Sequence, residues 1–256
     1  MIELKNVSAG YGKKSVLFDV DAAFEKGQLT SIIGSNGCGK TTLLKTIIGI
    51  LPLSDGQMRI DDQSTAVMGP KALAQKIAYL TQSQAVPDMT VGQMVLHGRF
   101  AHLRYPRRYG PEDRAIALSA MQRLHIAHLA ETPISALSGG MRQNAFIAMA
   151  LAQAADYILM DEPTAYLDIA NRFRLMDILQ KLSQSGKGIV AVLHDLTLAM
   201  AYSDRVLVMQ DGRIVMSDTP ERIYHSGIIG TVFGVRLNRI ETGNGFSYYY
   251  DCPKGD

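Results

Sequence analysis

The nine residues Gly34-Ser-Asn-Gly-Cys-Gly-Lys-Thr-Thr42 constrain this chain more than any other stretch of it. They fit the pattern Gly, any four residues, Gly, Lys, then Ser or Thr. In that pattern backbone N–H groups and the lysine hold nucleotide phosphates, while the hydroxyl reaches a magnesium ion. With average residue usage it arises by accident in roughly one chain in a hundred of this length. Context disfavours the accident further. Gln28 to Ile33 reads as a buried strand and Thr42 to Gly49 as a helix, whose N-terminus adds its partial positive charge to the loop. Gly34, Ser35, Asn36, Gly37, Cys38, Gly39, Lys40, Thr41 and Thr42 are therefore the candidate phosphate-binding residues.

Leu137-Ser-Gly-Gly-Met141, taken alone, is a helix entry in which Ser138 caps and the glycines permit tight turns. Farther along, Tyr157-Ile-Leu-Met-Asp-Glu-Pro-Thr-Ala-Tyr-Leu-Asp168 reads as an apolar strand ending in paired acids. Val190 to Asp195 reads as another, ending in His194. In that order the pieces resemble the ATPase subunit of ATP-binding-cassette (ABC) transporters, over nearly the whole chain. The resemblance implies an α/β fold of the P-loop NTPase kind, with a mostly parallel sheet, an antiparallel β subdomain and an inserted α-helical lobe. It implies one ABC ATPase domain over 1–256. The nucleotide-binding core is then expected at 1–86 and 156–220, the helical lobe at 87–155 and a C-terminal tail at 221–256.

A chain of 256 residues that is 47% hydrophobic can build one large domain, or one domain with an inserted lobe. Lys and Arg outnumber Asp and Glu by 26 to 24, so no global field recruits nucleic acid or anionic lipid. The two cysteines, Cys38 and Cys252, argue against a disulfide framework and fit a reducing cytosol. Cys38 reads as a small loop residue, with a thiol of lowered pKa at a helix N-terminus as the lesser reading. Met1 to Val7 carries charges where a secretory signal needs an apolar core, and no run of about 20 apolar residues follows. Any pore this chain serves must be another polypeptide, with this one acting from the cytosolic side.

Ile2 to Phe24 suits antiparallel strands, and Lys76 to Gln82 a buried strand ending in an amide. Helical patterns run from Asp113 to Ala130 and from Arg142 to Ala154, and Arg205 to Ser217 forms a hairpin with Asp211-Gly212 at its turn. His125 and His128 lack companions of ligand spacing and read as exposed or capping residues. His97 to Gly110 holds four arginines, three aromatics and no acid. Such interleaving can bind single-stranded nucleic acid, but arginines and tyrosines also suit a protein interface, and a solvated loop is the plain alternative, ahead of nucleic acid.

The resemblance implies roles residue by residue. Tyr11 would stack on adenine, Lys40 would contact the β- and γ-phosphates, and Thr41, Asp161 and Gln82 would hold magnesium. Glu162 would be the general base, with Gln82 reaching the attacking water and His194 sensing the γ-phosphate. Ser138, Gly139 and Gly140 would close over ATP bound to a second copy packed head to tail, with Asp168 at that interface. His97 to Gly110 would dock an integral-membrane permease dimer, which receives cargo from an extracytoplasmic substrate-binding protein. The chain would sit peripherally on the cytoplasmic face of the bacterial inner membrane. His97-Gly-Arg99, Ile147 to Gln153, Tyr166-Leu-Asp168 and Val192 to Leu196 point to importers of iron-siderophore complexes, haem and cobalamin. Met141 and Asn144 depart from the family pattern, which has Gln, Glu or Lys and then Arg at those places. The rival is a soluble ABC ATPase acting on nucleic acid or ribosomes. Such proteins usually carry two cassettes or a long coiled-coil insertion, and neither is present here. A module that binds ATP without hydrolysing it is weakened by intact Lys40, Asp161, Glu162 and His194.

Overall fold

The computed structural model describes residues 1–82, 86–165, 167–243 and 245–252. It contains two compact units, one of Met1–Met68 with Phe173–Asp256 and one of Gly69–Arg172. In chain order the first unit contributes β1 (Ile2–Tyr11), β2 (Lys14–Phe24), β3 (Leu29–Gly34), α1 (Lys40–Ile47), β4 (Leu53–Ile60) and β5 (Gln63–Ser64). The second holds α2 (Pro70–Lys76), β6 (Ile77–Leu80), α3 (Val91–His97), α4 (Pro111–Arg123), α5 (Gly139–Ala152) and β7 (Tyr157–Asp161). After α6 (Ile169–Gln184) the first unit resumes with β8 (Gly188–Val192), α7 (Leu196–Tyr202), β9 (Arg205–Gln210) and β10 (Arg213–Asp218). It ends with α8 (Pro220–Ser226), α9 (Ile228–Phe233), β11 (Arg236–Thr242) and β12 (Gly245–Asp251).

β1 alternates buried Ile2, Leu4, Val7 and Ala9 with more exposed neighbours, the period of a sheet with one covered face. Between Leu4 and Val7 the spacing grows from two to three, and a bulge with Asn6 at φ 50° keeps both on the same side. Antiparallel pairing gives the order β2-β1-β4-β5. β3 differs, because all six of its residues are buried and both of its faces need cover. It pairs parallel with β8 and with β9, while β10 returns antiparallel along β9.

In the second unit β6 and β7 pair parallel, Ile77 opposite Tyr157 through Leu80 opposite Met160. α3, α4 and α5 pack on one another. α5 buries Ala145, Phe146, Ile147, Ala148 and Leu151 among others. From its C-cap, the Gln153 side chain donates to the Ile77 carbonyl at 2.9 Å, tying the helix to the start of β6. The helix expected from Asp113 to Ala130 is shorter than its apolar pattern. It stops at Arg123, His125 takes φ 57°, and the His125 and Ile126 N–H groups bond back to the Gln122 and Met121 carbonyls at 3.0 and 2.9 Å. That is a left-handed helix ending built on histidine instead of the usual glycine. A separate 3-10 turn, Ala127–Leu129, carries the remaining apolar spacing.

Arg99 is buried and donates to Asp113 Oδ1 at 3.0 Å and to the Ala152 carbonyl at 3.1 Å. Asp113 also accepts from the Gly110 N–H at 3.0 Å at the head of α4. That backbone bond, followed by the bond from Arg99, holds the Asp113 carboxyl below its ordinary range. Arg99→Met is expected to cost about 2–3 kcal/mol of unfolding free energy in urea titrations, since charged hydrogen bonds are lost from a covered site. A carboxyl with a depressed pKa stabilises the fold above its unfolded pKa. The stability difference between wild type and Asp113→Asn is therefore expected to be full at neutral pH and to shrink below about pH 4.

Candidate functional site

In the first unit β3 ends at Gly34 and α1 begins at Lys40, leaving five residues to turn the chain. Ser35, Asn36 and Gly37 are exposed, whereas Cys38, Gly39 and Lys40 are buried. A side chain at Gly34 would collide with the Met209 carbonyl and the Cys38 sulfur, so the loop closes against β9 only because none is there. Gly39, the N-cap of α1, sits at φ 107°, in the region glycine occupies without strain. The Lys40 ammonium folds to the loop mouth, 2.8 Å from the Gly34 carbonyl oxygen and 2.9 Å from that of Ser35. Thr41 is half-buried and Thr42 buried along the first turn of α1.

The β9–β10 turn forms the floor of this loop. Gly212 N–H donates to the Cys38 carbonyl, and the Gly212 carbonyl accepts from Phe18 N–H on β2, both at 3.0 Å. Gly212 has φ 76°, and a Cβ there would run into the Val16 carbonyl and the Phe18 ring. The low-pKa reading of Cys38 is corrected. Burial pushes the thiol up, and the nearby Lys40 charge offsets only part of that. Tyr11, 48% exposed at the end of β1, has the Lys45 ammonium 5.9 Å from its ring centroid. His194 is exposed two residues beyond β8. The strand's pairing continues through Leu193 N–H to the Ile32 carbonyl at 3.1 Å, and Asp195 caps α7 through the N–H groups of Thr197 and Leu198.

In the second unit the parallel register of β6 and β7 brings their C-terminal ends together. Asp161 closes β7 at 3% exposure, with the Tyr79 hydroxyl 3.5 Å from its Oδ2. Glu162 follows at φ 53°, a left-handed conformation unusual for glutamate. The Gln82 amide donates to the Glu162 carboxylate. Gln82, Asp161 and Glu162 share a cavity of about 300 Å³ with Gly139, Arg142 and Gln143 from the first turns of α5. Ser138 caps α5 by accepting from Met141 N–H at 3.4 Å, and Met141 is 45% exposed. Asp168 accepts from Asn171 at the head of α6, from the backbone at 2.8 Å and the side chain at 2.9 Å. Tyr166 lies outside the described residues.

Tyr11, Lys40, Thr41 and His194 thus belong to the first unit, and Gln82, Ser138, Asp161, Glu162 and Asp168 to the second. Sequence reading missed Tyr79, Arg142 and Gln143. Tyr79 stands three positions before Gln82 in a strand already singled out, and Arg142 and Gln143 follow the Ser-Gly-Gly turn after Met141. Gly212 was legible only as a hairpin glycine. In the basic stretch 97–110, Arg99 is buried, so Arg104, Arg107 and Arg108 supply its exposed charge, with Arg107 stacked 4.8 Å from the Phe100 ring centroid.

Each taken within its own unit, the hydroxyl of Thr41 and, in the other unit, the amide oxygen of Gln82 and the carboxylate of Asp161 are hard oxygen donors of the kind magnesium takes.

A phosphate loop between a buried strand and a helix, together with an acid-ended strand and a Ser-Gly-Gly helix entry, defines a P-loop nucleotide-binding cassette. The family model described as ABC transporter matches residues 17–165, and the chain belongs to that family. The petrobactin import ATP-binding protein FpuD of Bacillus anthracis is 36% identical, over 91% of this chain and 86% of its own length. The ferric enterobactin transport ATP-binding protein FepC of Escherichia coli K12 is also 36% identical, over 93% of this chain and 88% of its own. A solved ATP-binding cassette, dimeric in a post-hydrolysis state with ADP and Pi bound, superposes with a TM-score of 0.73 at 29% identity. It covers 86% of this chain and 99% of that one.

Gly212→Ala is expected to weaken nucleotide binding by about tenfold, a cost in the range of a strained turn. It should also speed labelling of Cys38 by a thiol reagent, with exposed Cys252 as the internal reference. Titration with a fluorescent ATP analogue and mass spectrometry of the labelled chain check the two outcomes.

Proposed function

We propose that this chain is the ATP-hydrolysing subunit of an ABC importer, bound peripherally to a separate permease dimer on the cytoplasmic face of a bacterial inner membrane. The observation that carries this reading is the bond from Gln82 to Glu162 at the ends of paired strands, one residue beyond buried Asp161. It holds a carboxylate in a fixed direction, which a general base needs before it can align a water molecule. Family membership, the petrobactin import named for FpuD and the ferric enterobactin transport named for FepC support the transport role.

Phosphoryl transfer to water asks the protein chiefly for positioning and for compensation of charge. Lys40 turns its ammonium from the loop carbonyls toward the β- and γ-phosphates, and the backbone N–H groups of the exposed residues Ser35, Asn36 and Gly37 would meet the same charge. Magnesium, when bound, neutralises phosphate charge, and Thr41, Asp161 and Gln82 would hold it. Glu162 accepts the proton of the attacking water, Gln82 orients that water, and His194 hydrogen-bonds the γ-phosphate. Tyr11 offers its exposed ring to adenine. Ser138, Gly139 and Gly140 of one copy close over ATP held by another, with Asp168 at the seam. The dimeric state of the solved cassette supports this arrangement. Arg104, Tyr105, Arg107 and Arg108, all exposed, dock the permease. The cargo is a metal chelate of the iron-siderophore, haem or cobalamin class. The relatives' petrobactin and ferric enterobactin favour the first. It enters through the permease from an extracytoplasmic binding protein.

Among the described residues no helix is long and apolar enough to cross a membrane, so the reading requires a separate membrane partner. The tagged chain, extracted from native membranes in mild detergent, should bring down a stoichiometric polytopic protein. Recovery with RNA or ribosomes instead would overturn the importer assignment. Glu162→Gln should lower steady-state turnover by about 10²-fold or more, the usual worth of a general base, while ATP affinity changes less than about threefold. Unchanged phosphate release would remove Glu162 from that role.

A further inference from the structure

The two glycines after Ser138 have different surroundings. A Cβ added to Gly139 meets nothing within 4 Å, whereas one added to Gly140 would stand 3.0 Å from both Cγ and Nδ2 of Asn171. Asn171 cannot step aside freely. Its side chain donates to Asp168 Oδ2 at 2.9 Å while its backbone N–H donates to Asp168 Oδ1 at 2.8 Å. Asp168 in turn receives Arg172 N–H on its carbonyl at 3.0 Å, which anchors it to the first turn of α6. The Asn171 amide thus fills the space that Gly140 leaves, and clamps the carboxylate of Asp168 from the other side.

We propose that Asn171 is a positioning residue that sets the spacing between Asp168 and the Ser138-Gly139-Gly140 turn. The proposal rests on the reading that these two pieces meet a second copy across bound ATP. Two loops that must engage one partner together lose affinity for it if either drifts independently. A side-chain strut between them removes that freedom before the partner arrives. Gly140 is glycine, on this account, because Asn171 occupies its side-chain space within the same chain, and Gly139 is under no such demand.

The test is a double-mutant cycle on the full-length chain. It reads ATP turnover against protein concentration, together with the Kd of a fluorescent ATP analogue. Asn171→Ala is expected to lower kcat about tenfold and to leave the nucleotide Kd within about threefold, because it loosens the closing surface and not the phosphate loop. Because Gly140 also closes over the second copy's ATP, Gly140→Ala is expected to lower turnover in both backgrounds, but about tenfold less in the Asn171→Ala background, since truncation clears the space within the chain for the new methyl group. Gly139→Ala should cost the same in both backgrounds. Equal cost of Gly140→Ala in the two backgrounds, or an Asn171→Ala defect confined to nucleotide Kd, would overturn the role of Asn171. If Asn171→Ala does not fold, Asn171→Ser, whose shorter side chain keeps a hydroxyl for Asp168, gives the same comparison. Failure of the two-copy reading is visible separately, as wild-type specific activity that does not rise with protein concentration.

Discussion

A loop can wrap phosphate oxygens with its own N–H groups only where no side chain stands between backbone and ligand and where the loop cannot collapse. In this chain both conditions rest on the contact between Gly34 and the Met209 carbonyl. β3 and β9 run parallel in register, so the end of one strand lies beside the end of the other, and the absent side chain lets them meet. From there the chain turns through Gly39 into α1, and Lys40 reaches back to the carbonyls of Gly34 and Ser35. Those carbonyls keep a nearly buried ammonium solvated by protein, which an isolated buried charge could not tolerate.

The second unit sets a carboxylate at the end of a fully buried strand. β7 is buried at all five positions and ends in Asp161. Glu162 then adopts positive φ, which costs an ordinary L-residue about 1–2 kcal/mol. The turn that follows returns Ala165 N–H to the Glu162 carbonyl at 3.0 Å, and the side chain is met by Gln82. Strain of this kind persists where neighbouring packing determines the backbone, and it concentrates at functional positions.

The parts legible in the sequence were those whose chemistry is contiguous. Nine adjacent residues spell the phosphate loop, apolar runs mark β3, β7 and β8, and Asp211-Gly212 marks a hairpin. The illegible parts depend on register or on burial. Gln82 and Glu162 stand eighty positions apart, and their meeting follows from which residues of β6 and β7 face each other. Gly212 reads as any turn glycine until the turn is seen to hold Cys38 and Phe18. The end of α4 was hidden because histidine takes the left-handed position where sequence reading looks for glycine. Arg99 was counted with an exposed basic stretch because its acid partner, Asp113, lies just outside that stretch. The Cys38 thiol was open to misreading because helix proximity and burial shift it in opposite directions, and sequence shows only the first.

The bond from Gly212 to the Cys38 carbonyl also orders events during synthesis. About 170 residues separate its two ends, and β9, which lies under Gly34, is made almost as late. At a translation rate of about 5–20 residues per second, the phosphate-loop segment waits on the order of ten to thirty seconds for its floor. Through that interval the nascent chain carries the nine-residue motif without the surface that shapes it. ATP therefore has no formed cradle to occupy until β9 and the turn at Gly212 have left the ribosome.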